Sequence, residues 1–171
     1  MQHCWEQIKN AAEHNLKTVI IVDSDADGFC SSAMLMNYLH HYYPQWVEGN
    51  IATYLHSDKQ HGLEDCMEWI LERDPHLVIV PDAGSNDYEQ HKILYDKGMK
   101  ICILDHHEAP KKSEWAITIN NQLSSYPNKQ LCGGGIVWQF LRYVNDFEKK
   151  DGYCYEFMDL VALANISDMM S

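Results

Sequence analysis

Three aspartates stand at alternate positions in the segment VDSDADG and are followed at once by a glycine; they are Asp23, Asp25 and Asp27, with Gly28. Like charges this close repel one another, so either the segment is a solvated loop or a positive group holds the carboxylates together. In an extended segment alternate residues project to the same side, so the three carboxylates can face one point. The spacing therefore indicates a site for a divalent cation, beside a glycine that allows a tight turn.

Three further segments deliver acids or histidines. VPD ends in Asp82, LDHH contains Asp105, His106 and His107, and NISD ends in Asp168. Carboxylate and imidazole together suit manganese and related divalent ions better than metals that prefer thiolates. Two such ions about 3.5–4 Å apart form the usual centre for phosphoryl transfer. The residue types therefore predict a metal centre that acts on a phosphate ester.

Each segment also has a purely structural interpretation. A lone DxDxDG pattern occurs in acidic turns and calcium loops, although an EF-hand is excluded because the twelfth position counted from Asp23 is Met34, not glutamate. DHH by itself fits a solvated turn, and Asp82 by itself fits a helix cap. The functional interpretation depends on all four segments following predicted strands or helices at one edge of a sheet.

The elements that must position these residues alternate along the chain. Short β-branched runs predict strands over residues 17–23, 50–55, 76–82, 100–105 and 115–120. Helices are predicted at the N-terminus and over residues 31–43, 63–73, 87–97, 136–147 and 155–166. This alternation predicts one α/β domain, a mainly parallel five-stranded sheet flanked by helices on both faces. Ligands bind such sheets at the carboxyl ends of the strands, where the acids and histidines fall.

Composition and charge limit the function classes. The chain has 171 residues, 46% of them hydrophobic and 22% charged, as in ordinary globular proteins. Its net charge of −12 argues against a basic surface that coats nucleic acid, but not against a nuclease whose carboxylates bind cations. Six dispersed cysteines without a CxxC pair predict reduced thiols and no zinc site. Without an apolar run long enough for a membrane span, and without a secretion signal, a cytoplasmic protein with no membrane partner is expected.

The four segments together resemble the motifs of the DHH phosphoesterase superfamily, named for the triplet found here at residues 105–107. VDSDADG, VPDAGSND, LDHHE and LVALANISD match its four motifs, and the resemblance covers about residues 18–168. The DxDxDG form of the first motif and the segment LCGGGIVWQFL are most similar to RecJ-type exonucleases. The resemblance implies a hydrolase that degrades single-stranded DNA from the 5′ end by two-metal activation of water, with a role in DNA repair and recombination.

The resemblance also implies roles for individual residues. Two manganese ions are expected, with magnesium as the alternative metal. The implied ligands of the first ion are Asp27, Asp82, His106 and Asp168, and those of the second are Asp23 and Asp25, with Asp82 bridging the pair. His107 is expected to contact the scissile phosphate or to protonate the leaving oxygen, and Asp105 to hold a histidine in place.

Other residues are expected to contact the substrate. The glycine run Gly133, Gly134 and Gly135 would allow a phosphate to approach closely and offer it N–H donors at a helix start. In RecJ proteins the loop after the second strand carries a basic stretch; here it is shorter, and Lys59 and His61 are its candidate cations. Arg142, in the helix after the glycines, is a further candidate. For each of these residues a solvated or structural role is the alternative.

The sequence departs from the family pattern at its end. Family members continue into a closure domain, and RecJ enzymes add an OB-type nucleic-acid-binding fold, whereas this sequence stops at Ser171. Residues 1–171 are therefore expected to form the DHH phosphoesterase domain alone, weakly active and with apolar surface free for self-association or for the missing domains. An oligoribonuclease or cyclic-dinucleotide phosphodiesterase of the superfamily and a non-catalytic scaffold are the alternatives. The complete set of metal-binding positions argues against the scaffold.

Overall fold

The computed structural model describes residues 1–57 and 61–169 of the chain. Within this part the strands are β1 (Thr18–Val22), β2 (Ile51–Leu55), β3 (Leu77–Pro81), β4 (Lys100–Asp105) and β5 (Ile117–Asn120). The helices are α1 (Gln2–Glu13), α2 (Ala26–Tyr42), α3 (Pro44–Asn50), α4 (Met67–Arg73), α5 (Tyr88–Asp96), α6 (Gly133–Phe147) and α7 (Met158–Ser167). Short 3-10 turns precede α4 and α7.

The five strands form one parallel sheet in the order β2-β1-β3-β4-β5. Helices α1, α2, α3 and α6 cover one face, where Trp5, Leu35 and Phe140 pack in a single apolar cluster. Helices α4 and α5 cover the other face through Ile70 and Leu94. The predicted fold class, a parallel five-stranded sheet flanked by helices on both faces, is therefore confirmed.

The strand order places a crevice between β1 and β3. The chain leaves β1 through α2 on one face of the sheet and leaves β3 through α5 on the other face. The connections that follow these two neighbouring strands therefore lead to opposite faces of the sheet, and such a point at the carboxyl ends of the strands is where open α/β sheets bind ligands. The segments that follow β1, β3 and β4 carry the acids and histidines to this crevice.

Several helices differ from the sequence-based prediction, and α4 and α7 begin later than predicted, at Met67 and Met158, because 3-10 turns take up the preceding residues. Helix α2 begins at Ala26 instead of residue 31, because Asp25 is its N-cap and accepts a hydrogen bond from the Gly28 N–H at 2.8 Å. Helix α6 begins at Gly133 instead of residue 136, although glycine has a low helix propensity. Helix α3 is absent from the prediction; it begins at Pro44, a residue suited to a first helical turn. Among the described residues, no helix combines the length and the apolar character needed to cross a membrane.

Candidate metal centre

The aspartates of the first motif do not lie along one extended segment. Asp23 directly follows β1, Asp25 caps α2, and Asp27 lies in the first turn of that helix. The expected extended arrangement is therefore wrong for Asp27, because the helix begins earlier than predicted. The change of backbone direction separates the three carboxylates into two groups, with Asp23 and Asp25 in one and Asp27 in the other.

Gly28 has a different role from the one expected. It lies inside α2 and not in a tight turn. A Cβ atom at this position would lie 2.4 Å from the Asp23 Cβ and 2.8 Å from the Asp23 carbonyl oxygen. The absence of a side chain therefore lets the start of α2 pack directly against the end of β1.

Three overlapping groups of side chains converge at the sheet edge. In each group, the candidate ligand atoms all lie within 4.8 Å of one another. The groups are Asp27, His106 and Asp168; Asp23, Asp25 and Asp82; and Asp82, His106 and His107. All six residues predicted as metal ligands are thus brought together, and Asp82 belongs to two of the groups, as a bridging residue would. Their role as ligands stays a prediction.

Unpaired polar atoms at the centre of this cluster fit a cation. The Nε2 atom of His106 lies 3.4 Å from Asp82 Oδ1 and 3.7 Å from Asp168 Oδ2. All three atoms are buried and lack a hydrogen-bond partner within the part of the chain that the structure describes. Buried polar groups are rarely left unpaired, because desolvation without compensation is costly. A divalent ion coordinated by these atoms would remove that cost.

Asp27 connects the cluster to α6. Its Oδ2 accepts a hydrogen bond from the Gly133 N–H and its Oδ1 one from the Gly134 N–H, both at 2.7 Å. The Gly135 N–H donates to Cys132 Sγ at 3.3 Å. The expectation that these N–H groups are free for a phosphate is therefore wrong, since each already has an acceptor in the protein. Close contact of the glycine run with a substrate stays a prediction.

Both the backbone conformation of Asp82 and the burial of its carboxylate are unfavourable. Its backbone has φ of +69°, a left-handed conformation that costs energy for a residue with a side chain. A Cβ atom on Gly133 would lie 2.0 Å from Asp82 Oδ1, so α6 can approach this carboxylate only through a glycine. Burial, together with the charges of Asp27 and Asp25, raises the pKa of Asp82 to about 10. A bound cation would offset this electrostatic cost.

His107 is oriented by Asp105. The His107 Nδ1 lies 2.7 Å from Asp105 Oδ1, and this hydrogen bond raises the pKa of His107 against the opposing effect of burial. Burial alone would raise the pKa of Asp105, but hydrogen bonds from His107 and Ser85 outweigh it and keep the pKa below its usual value. The ring of His107 is about half exposed, at 47%. Its Nε2 is therefore the nitrogen available to a substrate.

Sequence reasoning missed two residues that support this pair. The Ser85 N–H donates to Asp105 Oδ2 at 2.9 Å, and Asn120 Nδ2 donates both to Ser85 Oγ and to the His107 carbonyl oxygen at 2.9 Å. Asn120 is the last residue of β5 and lies opposite Asp105 in the strand register. Asn120 could have been predicted from the sequence. It is the polar residue that ends the predicted strand WAITIN, and polar residues at the ends of parallel strands meet at one edge of the sheet.

The remaining predicted contacts are placed as follows. The ring of His61 stacks beside that of His107, with centroids 6.0 Å apart, so it lies at the site. Lys59 lies outside the described residues. Arg142 is nine residues beyond Gly133 in α6, which places it about 13 Å along the helix axis from the cluster. Its guanidinium lies over the Trp138 ring, so the structure does not bring Arg142 to the site.

Known proteins have similar sequences over most of this chain. The chain is 39% identical over 153 residues to a Bacillus subtilis protein named "Putative SPbeta prophage-derived single-strand DNA-specific exonuclease YorK", a match of 89% of this chain and 25% of that protein. It is 27% identical over 176 residues to the single-stranded-DNA-specific exonuclease RecJ of Bacillus subtilis, covering 99% of this chain and 21% of RecJ. The chain thus spans about a quarter of the length of these relatives.

Solved structures share the fold. A crystal structure of the exonuclease RecJ bound to manganese matches 98% of this chain and 43% of its own, with a TM-score of 0.83 and 18% identity. RecJ from Thermus thermophilus in complex with Mn²⁺ matches 98% of this chain and 24% of its own, with a TM-score of 0.78 and 17% identity. The family model for the DHH family, N-terminal domain, matches residues 17–165, and with this match over most of its length the chain belongs to the DHH family.

Proposed function

We propose that this chain forms the reaction centre of a manganese-dependent phosphodiesterase that hydrolyses single-stranded DNA. By similarity to RecJ, we infer removal of nucleotides from the 5′ end, in DNA repair or recombination in the cytoplasm. The relatives named above as single-strand DNA-specific exonucleases support the substrate class. Because the net charge of −12 repels the phosphate backbone, we expect this chain to carry the catalytic residues and to contribute little of the affinity for the strand.

One observation carries this proposal. The unpaired atoms of Asp82, His106 and Asp168 face one another in a buried cluster of acids, an arrangement that is costly without a cation. We propose that one ion binds to Asp27 and these three residues, and a second to Asp23, Asp25 and Asp82. The second group is more exposed at Asp25 and contains only carboxylates, which suits manganese or magnesium.

Side chains of this protein would orient the substrate and transfer protons. Divalent ions in this site would supply Lewis acidity at a phosphoryl oxygen and a nucleophile derived from water at neutral pH. Asp105 fixes the ring of His107 through Nδ1, so that Nε2 faces the substrate. The hydrogen bond to Asp105 raises the pKa of His107 and so favours its protonated form, which would deliver a proton from Nε2 to the leaving oxygen as the P–O bond breaks. His61, stacked beside His107, is positioned to contact a neighbouring phosphate.

Metal binding and hydrolysis test the proposal together. The chain is titrated with Mn²⁺ by calorimetry, and then incubated with Mn²⁺ and 5′-labelled or 3′-labelled single strands, duplex DNA, dinucleotides, cyclic dinucleotides and pyrophosphate. We expect hydrolysis of single strands with mononucleotide release from the 5′ end. Hydrolysis confined to dinucleotides or cyclic dinucleotides would reject the exonuclease. A well-folded chain that binds no Mn²⁺ would favour the scaffold.

A pair of matched variants distinguishes the loss of a metal ligand from the general effect of removing one negative charge. Asp82→Asn removes a bridging ligand but keeps the shape and a residue type that tolerates positive φ. We expect Mn²⁺ binding to weaken and hydrolysis to fall about 100-fold or more. Asp74→Asn is the control, because Asp74 also has positive φ but caps the end of α4, away from the cluster. Equal activities of the two variants would contradict the proposed site.

An apolar surface on α7 is the candidate interface. Met158, Leu163 and Ile166 are 50%, 51% and 75% exposed, although the opposite side of the helix packs against α2 and α6. Exposed apolar side chains on a helix indicate association. We propose that this surface binds another copy of the chain or further domains of a longer protein.

A further inference from the structure

Helix α7 ends at the predicted ligand Asp168, whose carboxylate is positioned differently from that of Asp27. Both oxygens of Asp27 accept N–H groups of α6, whereas Asp168 Oδ2 has no hydrogen-bond partner in the described part of the chain. Asp168 Oδ2 nevertheless lies 3.7 Å from His106 Nε2, inside the cluster of predicted ligands. The position of this carboxylate therefore depends on how α7 packs against the rest of the domain.

Ala164 packs α7 directly against the backbone of α6. Among the ten residues of α7, all of which the structure describes, Ala164 alone is fully buried. A Cβ atom built on Gly134 would lie 2.6 Å from the Ala164 Cβ, well below the roughly 3.5–4.0 Å of an ordinary carbon contact. The two helices can therefore approach this closely only because residue 134 is a glycine.

Other side chains fill the space around the Ala164 methyl group. Cys30 of α2 and Cys132 at the start of α6 form one buried cluster with Ala164, and Leu160 of α7 packs against this cluster. A well-packed interior accommodates added atoms only when side chains or backbone move. A side chain larger than alanine at residue 164 would therefore push α7 away from α6.

Two hydrogen bonds connect Ala164 to the end of α7. The Asp168 N–H donates to the Ala164 carbonyl oxygen at 3.1 Å, and Ser167 Oγ donates to the same oxygen at 2.8 Å. A displacement of Ala164 would therefore displace Asp168 as well.

The α6 side of this contact is bonded to a second predicted ligand. The Gly134 N–H donates to Asp27 Oδ1 at 2.7 Å. Asp27, His106 and Asp168 form one of the groups whose candidate ligand atoms all lie within 4.8 Å of one another. Gly134 thus holds Asp27 through its N–H and supports Asp168 through Ala164. Because metal–ligand distances vary by only about 0.2 Å, a small shift of α7 would weaken metal binding.

We propose that Ala164 and Gly134 are positioning residues, whose contact holds the Asp168 carboxylate opposite His106, where the first ion would bind. This inference rests on the proposed function and adds two residues that would touch neither metal nor substrate. A purely structural role of Ala164 makes a different prediction, since substitutions would then lower the stability and leave the Asp168 carboxylate in place.

The signals of the His106 ring report the position of Asp168 without metal. The chain is labelled with ¹³C and ¹⁵N at its histidine rings and studied by NMR. We expect Ala164→Val to shift the His106 ring signals in the same direction as Asp168→Asn, because both changes remove the carboxylate from Nε2. The control is Ala162→Val, the same substitution at an exposed position of α7, which should leave these signals unchanged.

Calorimetry with Mn²⁺ measures the consequence for the metal centre. Ala164→Val should weaken binding of the first ion about 10-fold or more, as expected when a residue that supports a ligand is changed, and Ala162→Val should not weaken it. In a chain that already carries Asp168→Asn, adding Ala164→Val should change the affinity less than about twofold, because the ligand that it displaces is already absent. A purely structural role would instead give the same loss in both backgrounds.

A compensating pair of substitutions tests the contact from its other side. Gly134→Ala places a methyl group against Ala164 and should weaken Mn²⁺ binding about 10-fold or more. Adding Ala164→Gly removes the clash and should recover at least threefold of that loss. Full recovery is not expected, since the new Cβ also lies 3.1 Å from Asp27 Oδ1. If circular dichroism shows that Ala164→Val does not fold, this pair decides the question by itself.

The outcomes separate this inference from the proposed function. It is overturned if the His106 ring signals of a folded Ala164→Val chain match those of the unchanged chain, if Ala162→Val weakens Mn²⁺ binding equally, or if Ala164→Gly recovers none of the affinity lost in Gly134→Ala. If the unchanged chain binds no Mn²⁺, the proposed function alone is overturned, because the His106 signals still decide whether Ala164 positions Asp168.

Discussion

Asp27 takes part in both the fold and the candidate metal centre. Its two carboxylate oxygens accept the first N–H groups of α6, and its Oδ2 also lies 3.8 Å from His106 Nε2. Asp168 faces the same histidine nitrogen, but its side chain is 30% exposed and its Oδ2 has no hydrogen-bond partner in the described part of the chain. These two predicted ligands should therefore respond differently to substitution.

Asp27→Asn should lower the free energy of unfolding, whereas Asp168→Asn should not. An amide at residue 27 must point its NH₂ group at an N–H of α6, which leaves a buried donor unpaired and costs about 1–3 kcal/mol. At residue 168 we expect a change within about 0.5 kcal/mol. Urea unfolding without added metal measures both, while Mn²⁺ calorimetry should show weaker binding in each variant. Equal loss of stability would contradict the role of Asp27 in holding α6.

His91 should make the stability depend on pH. It is fully buried in α5, and burial lowers its pKa to about 4 against the opposing effect of a hydrogen bond with the Gly84 backbone. Below pH 6.5 the unfolded chain binds a proton that the folded chain does not accept until about pH 4, so acid favours unfolding in this window. From about pH 7 to about pH 5 the loss should reach about 2 kcal/mol.

The variant His91→Leu isolates this contribution. Urea unfolding at both pH values should show a smaller loss of stability on acidification in the variant than in the unchanged chain. The same dependence on pH in both proteins would show that His91 is not the group responsible. The carboxylates at the sheet edge are present in both proteins, so their titration cancels in the comparison.

At the scale of secondary structure elements, the first turn of α2 packs against the end of β1 only because residue 28 is a glycine and has no side chain. Gly28→Ala would place a Cβ within 2.8 Å of the Asp23 carbonyl oxygen, so backbone must move. We expect a loss of about 1–3 kcal/mol in unfolding free energy and weaker binding of a second Mn²⁺, because Asp23 would be displaced. Gly49→Ala in α3 is the control, since nothing lies within 4 Å of its added Cβ and alanine favours a helix. A well-tolerated Gly28→Ala would contradict this packing.

Strand β5 provides no predicted metal ligand, but we expect it to contribute to the rate of hydrolysis through Asn120. Asn120→Ala removes both hydrogen bonds that tie β5 to Ser85 and to the His107 backbone. We expect the rate of DNA hydrolysis at saturating Mn²⁺ to fall about 10-fold or more, with Mn²⁺ affinity unchanged, because His107 loses its fixed position. Asn10→Ala on the exposed side of α1 is the control. Loss of Mn²⁺ binding in Asn120→Ala would indicate a general collapse of the edge instead.

Most of the fold and part of the site could be predicted from the sequence. The buried β-branched runs and the strand-end rule placed Asp82 and His106 at the same edge. The early start of α6 could not be predicted, because the acceptor for the Gly133 N–H is Asp27, 106 residues away, and local propensity opposes a helix of glycines. The misplacement of Arg142 has no such cause, since counting nine residues from Gly133 along the helix already separates it from the glycine run by about 13 Å.

At the scale of the whole molecule, the exposed side of α7 should control association. Replacing Leu163 and Ile166 by serine removes apolar area that faces solvent in this structure. Sedimentation analysis should show the unchanged chain associating as its concentration rises and the variant staying monomeric, with unchanged circular dichroism. If both the unchanged chain and the variant stay monomeric, α7 does not mediate self-association and its apolar surface would bind a different partner. Leu35, buried in the core, is unsuitable for the comparison because its substitution would lower the free energy of unfolding.

The winding of the chain has a consequence for how such a centre arises. Because successive connections turn away from each other at β1 and β3, the gap between them exists whatever side chains occupy it. An acid on its rim that makes no contact with a helix start, such as Asp168, can be exchanged by a single substitution without rebuilding any helix or strand. Asp25 and Asp27 also hold the starts of α2 and α6, so their exchange would change the scaffold together with the chemistry.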